Sequence, residues 1–136
     1  MKDLPEILPN TISAVSAEAG QCMAILEKQC VLAGISLTRN QLLQFGRYFD
    51  LLTETNKVMN LTALTSPRDV AVKHYIDSLL CYDKALMQGK KVIDVGTGAG
   101  FPGIPLKIYD PSLQLVLLDS LEKRLKFLQE TVSQLQ

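Results

Sequence analysis

Hydrophobic and polar positions change rhythm twice along this chain. From Gln21 to Ala33 the apolar residues of CMAILEKQCVLA suit a helix, and Gly34 supplies its stop. Thr38 then stands as the cap of a longer segment, RNQLLQFGRYFDLLTETNKV. Within it Leu42, Phe45, Phe49 and Leu52 recur at steps of three and four, which builds one apolar face. Phe45, Tyr48 and Phe49 could pass for a base-stacking stripe, but their helical spacing argues for core packing. Gly46 falls inside the segment and weakens it slightly. The period is lost over MNLTALTSPRD until Ser66-Pro67-Arg68-Asp69 starts another helix. Serine caps, proline takes the first turn, and the acid three residues on can reach back to the cap amide. The helix predicted from there runs VAVKHYIDSLLCYDKAL, buries Val72, Ile76 and Leu79 or Leu80, and ends at Gln88-Gly89.

At Lys91 the rhythm becomes that of strands. VIDV reads as a strand, a glycine turn follows, and GIPLKIY opens a helix that Asp110-Pro111 terminates. LQLVLLD is a second strand, nearly all apolar, as expected of a parallel sheet covered on both faces. Ser120 is the expected cap of a last helix, LEKRLKFLQETVSQLQ. The predicted class is α/β, with residues 1–20 as a loose leader carrying Pro5 and Pro9. Residues 21–89 form an N-terminal helical cap, and residues 90–136 a β-α-β-α unit.

Composition narrows the function classes only a little. The 136 residues suffice for one domain with a core. Fourteen Lys+Arg offset fourteen Asp+Glu, so nothing in the balance favours a nucleic-acid partner, although a local basic patch would suffice for one. Cys22, Cys30 and Cys81 form no C-x-x-C pair, and the single histidine, His74, has no cysteine nearby, so metal-ligand spacing is absent. Scattered cysteines in odd number fit reduced, buried thiols, and the start MKDLPEILPN lacks a signal-peptide pattern. With no apolar run near the roughly 18 residues of a membrane span, the expectation is a soluble, cytoplasmic protein.

Chemistry concentrates in DVGTGAGFPGIP, residues 94–105. A turn between a strand and a helix presents free backbone N–H groups, and glycines let a ligand approach them. A phosphate-binding P-loop is rejected, because Ile104 and Pro105 stand where Lys and Ser/Thr are needed. Gly98, Gly100 and Gly103 match the dinucleotide fingerprint literally, with Asp119 following 21 residues after Gly98. The frame is wrong, however. Gly96 closes the strand, and counting from it puts Phe101 where a glycine must pack helix against strand. Asp94, Gly96, Gly98 and Gly100 fit the S-adenosylmethionine (SAM) pattern Asp-x-Gly-x-Gly-x-Gly in the frame the strand dictates. Asp94 could pair with the methionine ammonium, and Asp119, an otherwise unpaired carboxylate at a strand end, could accept from ribose hydroxyls. On the motif alone SAM leads, with NAD and a purely structural turn still open.

The longer string DVGTGAGFPGIPLKI, followed by LLDSLEKRLKFL, resembles the bacterial ribosomal RNA small-subunit methyltransferase G family, also called glucose-inhibited division protein B. KVMNLTAL and VKHYIDSLL look like that family's Asn-Leu-Thr and His-x-x-Asp-Ser segments, and the likeness runs from about Gly34 to Gln136. It implies a class I, Rossmann-like methyltransferase with an N-terminal helical cap, moving a methyl from SAM to guanine N7 of 16S rRNA near the decoding region. Gly96 and Phe101 then occupy SAM contacts, and Lys123 matches a family lysine tied to RNA or activity. Arg124 beside it could hold a phosphate, although both mingle with Glu122, Lys126 and Glu130 as on an ordinary solvated face. His74, Asp77 and Ser78 read by themselves as a capping or core hydrogen-bond arrangement; the likeness places them near the SAM pocket without a role. Guanine N7 has a free lone pair and no proton to lose, so no general base is required.

The likeness also implies a longer fold, with further strands, an adenine-holding loop after the third and an arginine after the fourth. The expectation is therefore an amino-terminal, truncated portion whose two-stranded sheet leaves an open edge. Three readings follow: a rRNA methyltransferase, a noncatalytic remnant that self-associates through that edge, and, least favoured, an NAD-binding protein.

Overall fold

A computed structural model describes residues 15–136, so residues 1–14 of the expected leader lie outside the described residues. Helix α1 spans Ala17–Ala33, starting four residues before the apolar period does. The reason is Ser16, whose Oγ accepts from the Ala19 amide at 2.9 Å while its own amide donates to Asp50 at 2.8 Å. Residues 17–20 of the expected leader are thus helical. Gly34, at φ 73°, ends α1 as predicted.

Helix α2, Arg39–Asn56, opens on a capping box. Thr38 Oγ1 accepts from the Gln41 amide, and Gln41 Oε1 accepts from the Thr38 amide at 2.8 Å. Leu42, Phe45, Phe49 and Leu52 are all buried, as their spacing requires, and Tyr48 with them. Gly46 is no defect. The Met23 side chain of α1 occupies the place its Cβ would take, so the missing side chain lets two helices approach.

Helix α3 consists of Pro67–Asp69, a π-helical stretch Val70–Ile76, and Asp77–Leu79. Ser66 caps it through the Asp69 amide at 3.1 Å. The Asp69 carboxylate pairs with Lys73 at 3.6 Å rather than reaching back to the cap. The wider π turn shifts the inward face: Val70, Ala71, Tyr75, Ile76 and Leu79 are buried, Val72 is half-buried and Leu80 exposed. The helix also stops at Leu79 instead of continuing toward Gln88. Tyr82 donates from its hydroxyl to Asp110 at 2.7 Å, holding the chain out of helix, and Asp83 caps a separate short helix α4, Lys84–Met87.

Strand β1, Lys91–Val95, pairs in parallel with β2, Gln114–Leu118, in a register running from Lys91 opposite Gln114 to Val95 opposite Leu118. Helix α5, Gly103–Tyr109, connects them, and α6, Glu122–Leu135, follows β2. The α/β class and the β-α-β-α order stand as predicted. Two details do not. Ser120 is not the cap of α6; Leu121 holds the N-cap position without a side-chain bond, and Asp119 accepts from its amide instead. Nor is the sheet covered on both faces. Val92, Asp94, Leu115 and Leu117 are half-buried on one side, whereas Ile93 (53%), Val95 (77%), Val116 and Leu118 are exposed on the other.

One continuous core joins α1, α2, α3, α5, α6 and the glycine turn. At its centre Tyr75 donates to the Phe45 carbonyl at 2.9 Å, and Tyr48 to the Ala99 carbonyl at 2.6 Å. Burying such rings contributes about 1.5–3 kcal/mol each, and the two hydroxyls are satisfied where an unpaired one would be costly. Cys22 and Cys30 are buried, with the Cys22 thiol pushed up to about 12 by burial, but Cys81 is exposed, against the expectation for all three. No helix among the described residues is long and apolar enough to cross a membrane.

Candidate site in the glycine turn

The turn leaves the carboxyl end of β1 and is fastened at once to the end of β2. Gly96 and Thr97 both donate their amides to the Leu118 carbonyl, at 2.8 and 3.0 Å. Gly98 donates to Asp119 Oδ2 at 2.9 Å, and Gly100 and Phe101 both donate to the Thr97 carbonyl at 3.1 Å. Gly96, Gly98 and Gly100 have φ of 71°, 61° and 104°, a backbone region that side chains disfavour.

These glycines fall into two sets. A Cβ at Gly96 or Gly98 would meet nothing within 4 Å. At Gly100 it would lie 2.6 Å from both Ile104 Cδ1 and the Tyr48 hydroxyl. At Gly103 it would lie 2.6 Å from Leu117 Cδ2 and 2.9 Å from Asp94 Oδ2. Gly103 therefore performs the tight packing of helix against strand that the frame counted from Gly96 denied to Phe101. The framing objection to a dinucleotide loop loses that support, and the choice of ligand must rest on other grounds.

Asp94 is half-buried and turned into the turn, where its Oδ2 accepts from Thr97 Oγ1 at 2.7 Å and from the Gly103 amide at 2.9 Å. Asp119 is not the unpaired carboxylate of the sequence reading. Besides Gly98, it accepts from the Leu121 amide at 3.0 Å and lies 3.5 Å from Arg124 Nη1. The Leu121 and Gly98 amides, with help from Arg124, hold its pKa below the usual carboxylate value. Arg124 is thus partly spent on Asp119, while Lys123 next to it is exposed.

Phe101 turns its ring toward the helical part of the molecule. It stacks on His74, with centroids 4.1 Å apart and planes 1° from parallel, and on Tyr48 at 5.3 Å and 22°. The His74 Nε2 is 2.8 Å from Thr62 Oγ1, and burial lowers the His74 pKa below its ordinary value. Asp77 is exposed, and Ser78 donates to the His74 carbonyl at 2.6 Å, so Ser78 serves the helix rather than the turn.

Of the residues singled out in the sequence, Gly98 and Asp119 are hydrogen-bonded to each other, Asp94, Gly96 and Gly100 lie in or beside the same turn, and the Phe101 ring points away from it toward His74 and Tyr48. Sequence reasoning missed Thr97, Tyr48, Thr62 and Gln41. Gln41 Nε2 donates to the Ile108 and Tyr109 carbonyls, 3.0 Å each, closing the carboxyl end of α5. Its position three residues after Thr38 was a signal for the cap, but not for this second task.

Residues 41–136 match the family described as GidB, rRNA small subunit methyltransferase G. A protein of Leuconostoc citreum named ribosomal RNA small subunit methyltransferase G is 55% identical over 106 residues, covering 76% of this chain and 44% of its own length. Proteins of the same name from Alkaliphilus metalliredigens and Pelotomaculum thermopropionicum are 50% and 52% identical, covering 82% and 75% of this chain. The chain spans less than half the length of these relatives, 47% and 43% for the latter two. With most of the chain matched, and with the strand, turn and helix in the order the likeness requires, the chain belongs to the rRNA small subunit methyltransferase G family.

Proposed function

We propose that this chain carries the SAM-binding turn of an enzyme that methylates guanine N7 in 16S rRNA of the small ribosomal subunit. The observation that carries the reading is the open half of the turn. Gly96 and Gly98 present bare backbone at the carboxyl end of β1, with space where side chains would stand. Asp119 sits at the same rim, bonded to the Gly98 amide. An ionised carboxylate has about four acceptor positions, so Asp119 keeps acceptor capacity beyond the bonds it already makes. Because its side chain is only 3% exposed, a ribose hydroxyl reaches it only as the groups covering it give way. Asp94 commits one oxygen to Thr97 and Gly103 and offers the other to the ammonium. Phe101 faces inward, so it meets the cofactor through its backbone.

SAM supplies an electrophilic methyl on a sulfonium. What the chain's residues do is hold and align, because N7 gives up no proton and needs no base. Lys123, exposed at the start of α6, is the better RNA-phosphate ligand of the basic pair, since Arg124 also serves Asp119. A ribosomal substrate goes with a cytoplasmic setting.

Calorimetric titration of SAM into the chain, with NAD as control, tests the reading. SAM binding that is lost in Gly96→Val supports it, and methyl transfer to isolated small subunits follows. NAD binding without SAM binding overturns it. A second reading, the noncatalytic self-associating module, draws on the exposed apolar residues Ile93, Val95, Val116 and Leu118 beside the open strand edges. It expects a concentration-dependent dimer in sedimentation, dispersed by Val95→Lys.

A further inference from the structure

We infer that His74 is a positioning residue for the glycine turn, joining Thr62 of the Asn-Leu-Thr segment to Phe101 so that this segment sets how the turn sits. The inference rests on the SAM reading for its functional consequence, but its structural basis is independent of it.

A backbone with three glycines at positive φ is permissive, so something other than its own torsions must fix it. Phe101 is the large side chain at the end of the turn, and two rings stack on it, Tyr48 and His74. Tyr48 is fully buried and immobilised by the core. His74 is only half-buried, on the π-helical stretch of α3, and its ring is fixed by one polar contact, Nε2 to Thr62 Oγ1. Thr62 is itself held, its amide donating to Asn56 Oδ1 at 2.9 Å and its Oγ1 accepting from the Leu64 amide at 3.0 Å. Leu61 donates to the same Asn56 oxygen at 2.7 Å. A line of contacts thus runs from the end of α2 through the connecting segment to His74, and from its ring to Phe101 and the turn. No hydrogen bond joins Thr62 to the turn directly, so the hydrogen-bonded route from Thr62 toward Phe101 runs through the imidazole.

The Thr62 hydroxyl can be removed without changing side-chain shape, which makes the inference testable. Thr62→Val, Thr62→Ser and His74→Phe are compared with the parent chain by amide hydrogen exchange and by titration with S-adenosylhomocysteine, at a temperature where all four are folded. In His74→Phe, exchange at Gly98, Gly100 and Phe101 is expected to rise about fivefold, the worth of one lost hydrogen bond. In Thr62→Val, which also leaves the Leu64 amide without its acceptor, it should rise by at least as much, while Val92 and Leu115 in the strands keep their rates. Ligand affinity is expected to fall by a similar factor, and Thr62→Ser to restore both. As the only histidine, His74 gives a single set of imidazole resonances, shifted by the Phe101 ring, and Thr62→Val should move them toward free values. If Thr62→Val lowers the melting temperature but leaves turn exchange and affinity at parent values, His74 is structural only and the inference is overturned. If the parent binds no S-adenosylhomocysteine, the SAM reading fails, and the exchange data alone decide the positioning role.

Discussion

The two halves of the glycine turn use the same residue for opposite reasons. Gly96 and Gly98 face open space, so their lack of a side chain leaves room for something outside the chain. Gly100 and Gly103 are buried, and their lack of a side chain makes room for Tyr48, Ile104, Leu117 and Asp94 from within it. A glycine-rich motif is therefore not one signal but two, one for binding and one for packing. Only the surroundings tell them apart.

Substitution separates the halves most strongly on the packed side. Gly100→Ala combines a φ of 104° with a collision against Tyr48 and Ile104, and is expected to cost about 3 kcal/mol in urea unfolding. Gly103→Ala, without the torsional strain, should cost about 2 kcal/mol. Parent-like stability for both would erase the distinction. On the open side, Gly96→Ala pays only the left-handed backbone term, about 1 kcal/mol, and remains folded. Its larger effect is expected on SAM, a loss of affinity of about tenfold or more in the same calorimetric titration. Unchanged affinity would remove Gly96 from the site.

The smallest expected effect is on pH dependence, and it distinguishes the turn's two anchors. Folding lowers the Asp119 pKa below 3.8, so that carboxylate contributes stability above this value and loses it as pH falls through the lowered folded value. Folding lowers the His74 pKa below 6.5, so its contribution is complete above 6.5 and declines as pH falls from there toward the folded value. Thermal midpoints followed from pH 8 to pH 3 should therefore fall in two steps, the lower one shared by Asp119 with Asp110, whose carboxyl is also held below its usual value by Ser112 and Tyr82. His74→Phe should abolish the upper step and spare the lower, and a single step in the parent chain would contradict the assignment.

What the sequence made legible was whatever depends on neighbours a few residues away. The face of α2 follows from its own period, and Gly34, Thr38 and Ser66 end or start helices by local chemistry. The break after Leu79 was illegible because Asp110, which holds Tyr82, lies 28 residues on. The choice of Asp119 over Ser120 at the start of α6 was equally hidden. Both residue types cap well, and it is Gly98 and Arg124 that turn the aspartate to its place. The division of the glycines needed Tyr48, about fifty residues upstream of Gly100. The short, nearly all-apolar runs of β1 and β2 marked the strands, but they suggested cover on both faces and could not show that one face would stay exposed.

Gln41 makes a further demand on sequence variation. In an ordinary capping box glutamate and glutamine are interchangeable, because only the side-chain oxygen is used. Here the amide nitrogen is used as well, donating to two carbonyls at the far end of α5. A glutamate would still close the box at Thr38 and would turn a bare carboxylate toward Ile108 and Tyr109, repelling both. A substitution that looks silent on α2 alone is thus felt on a helix 67 residues away, and the two helix ends must drift together or not at all.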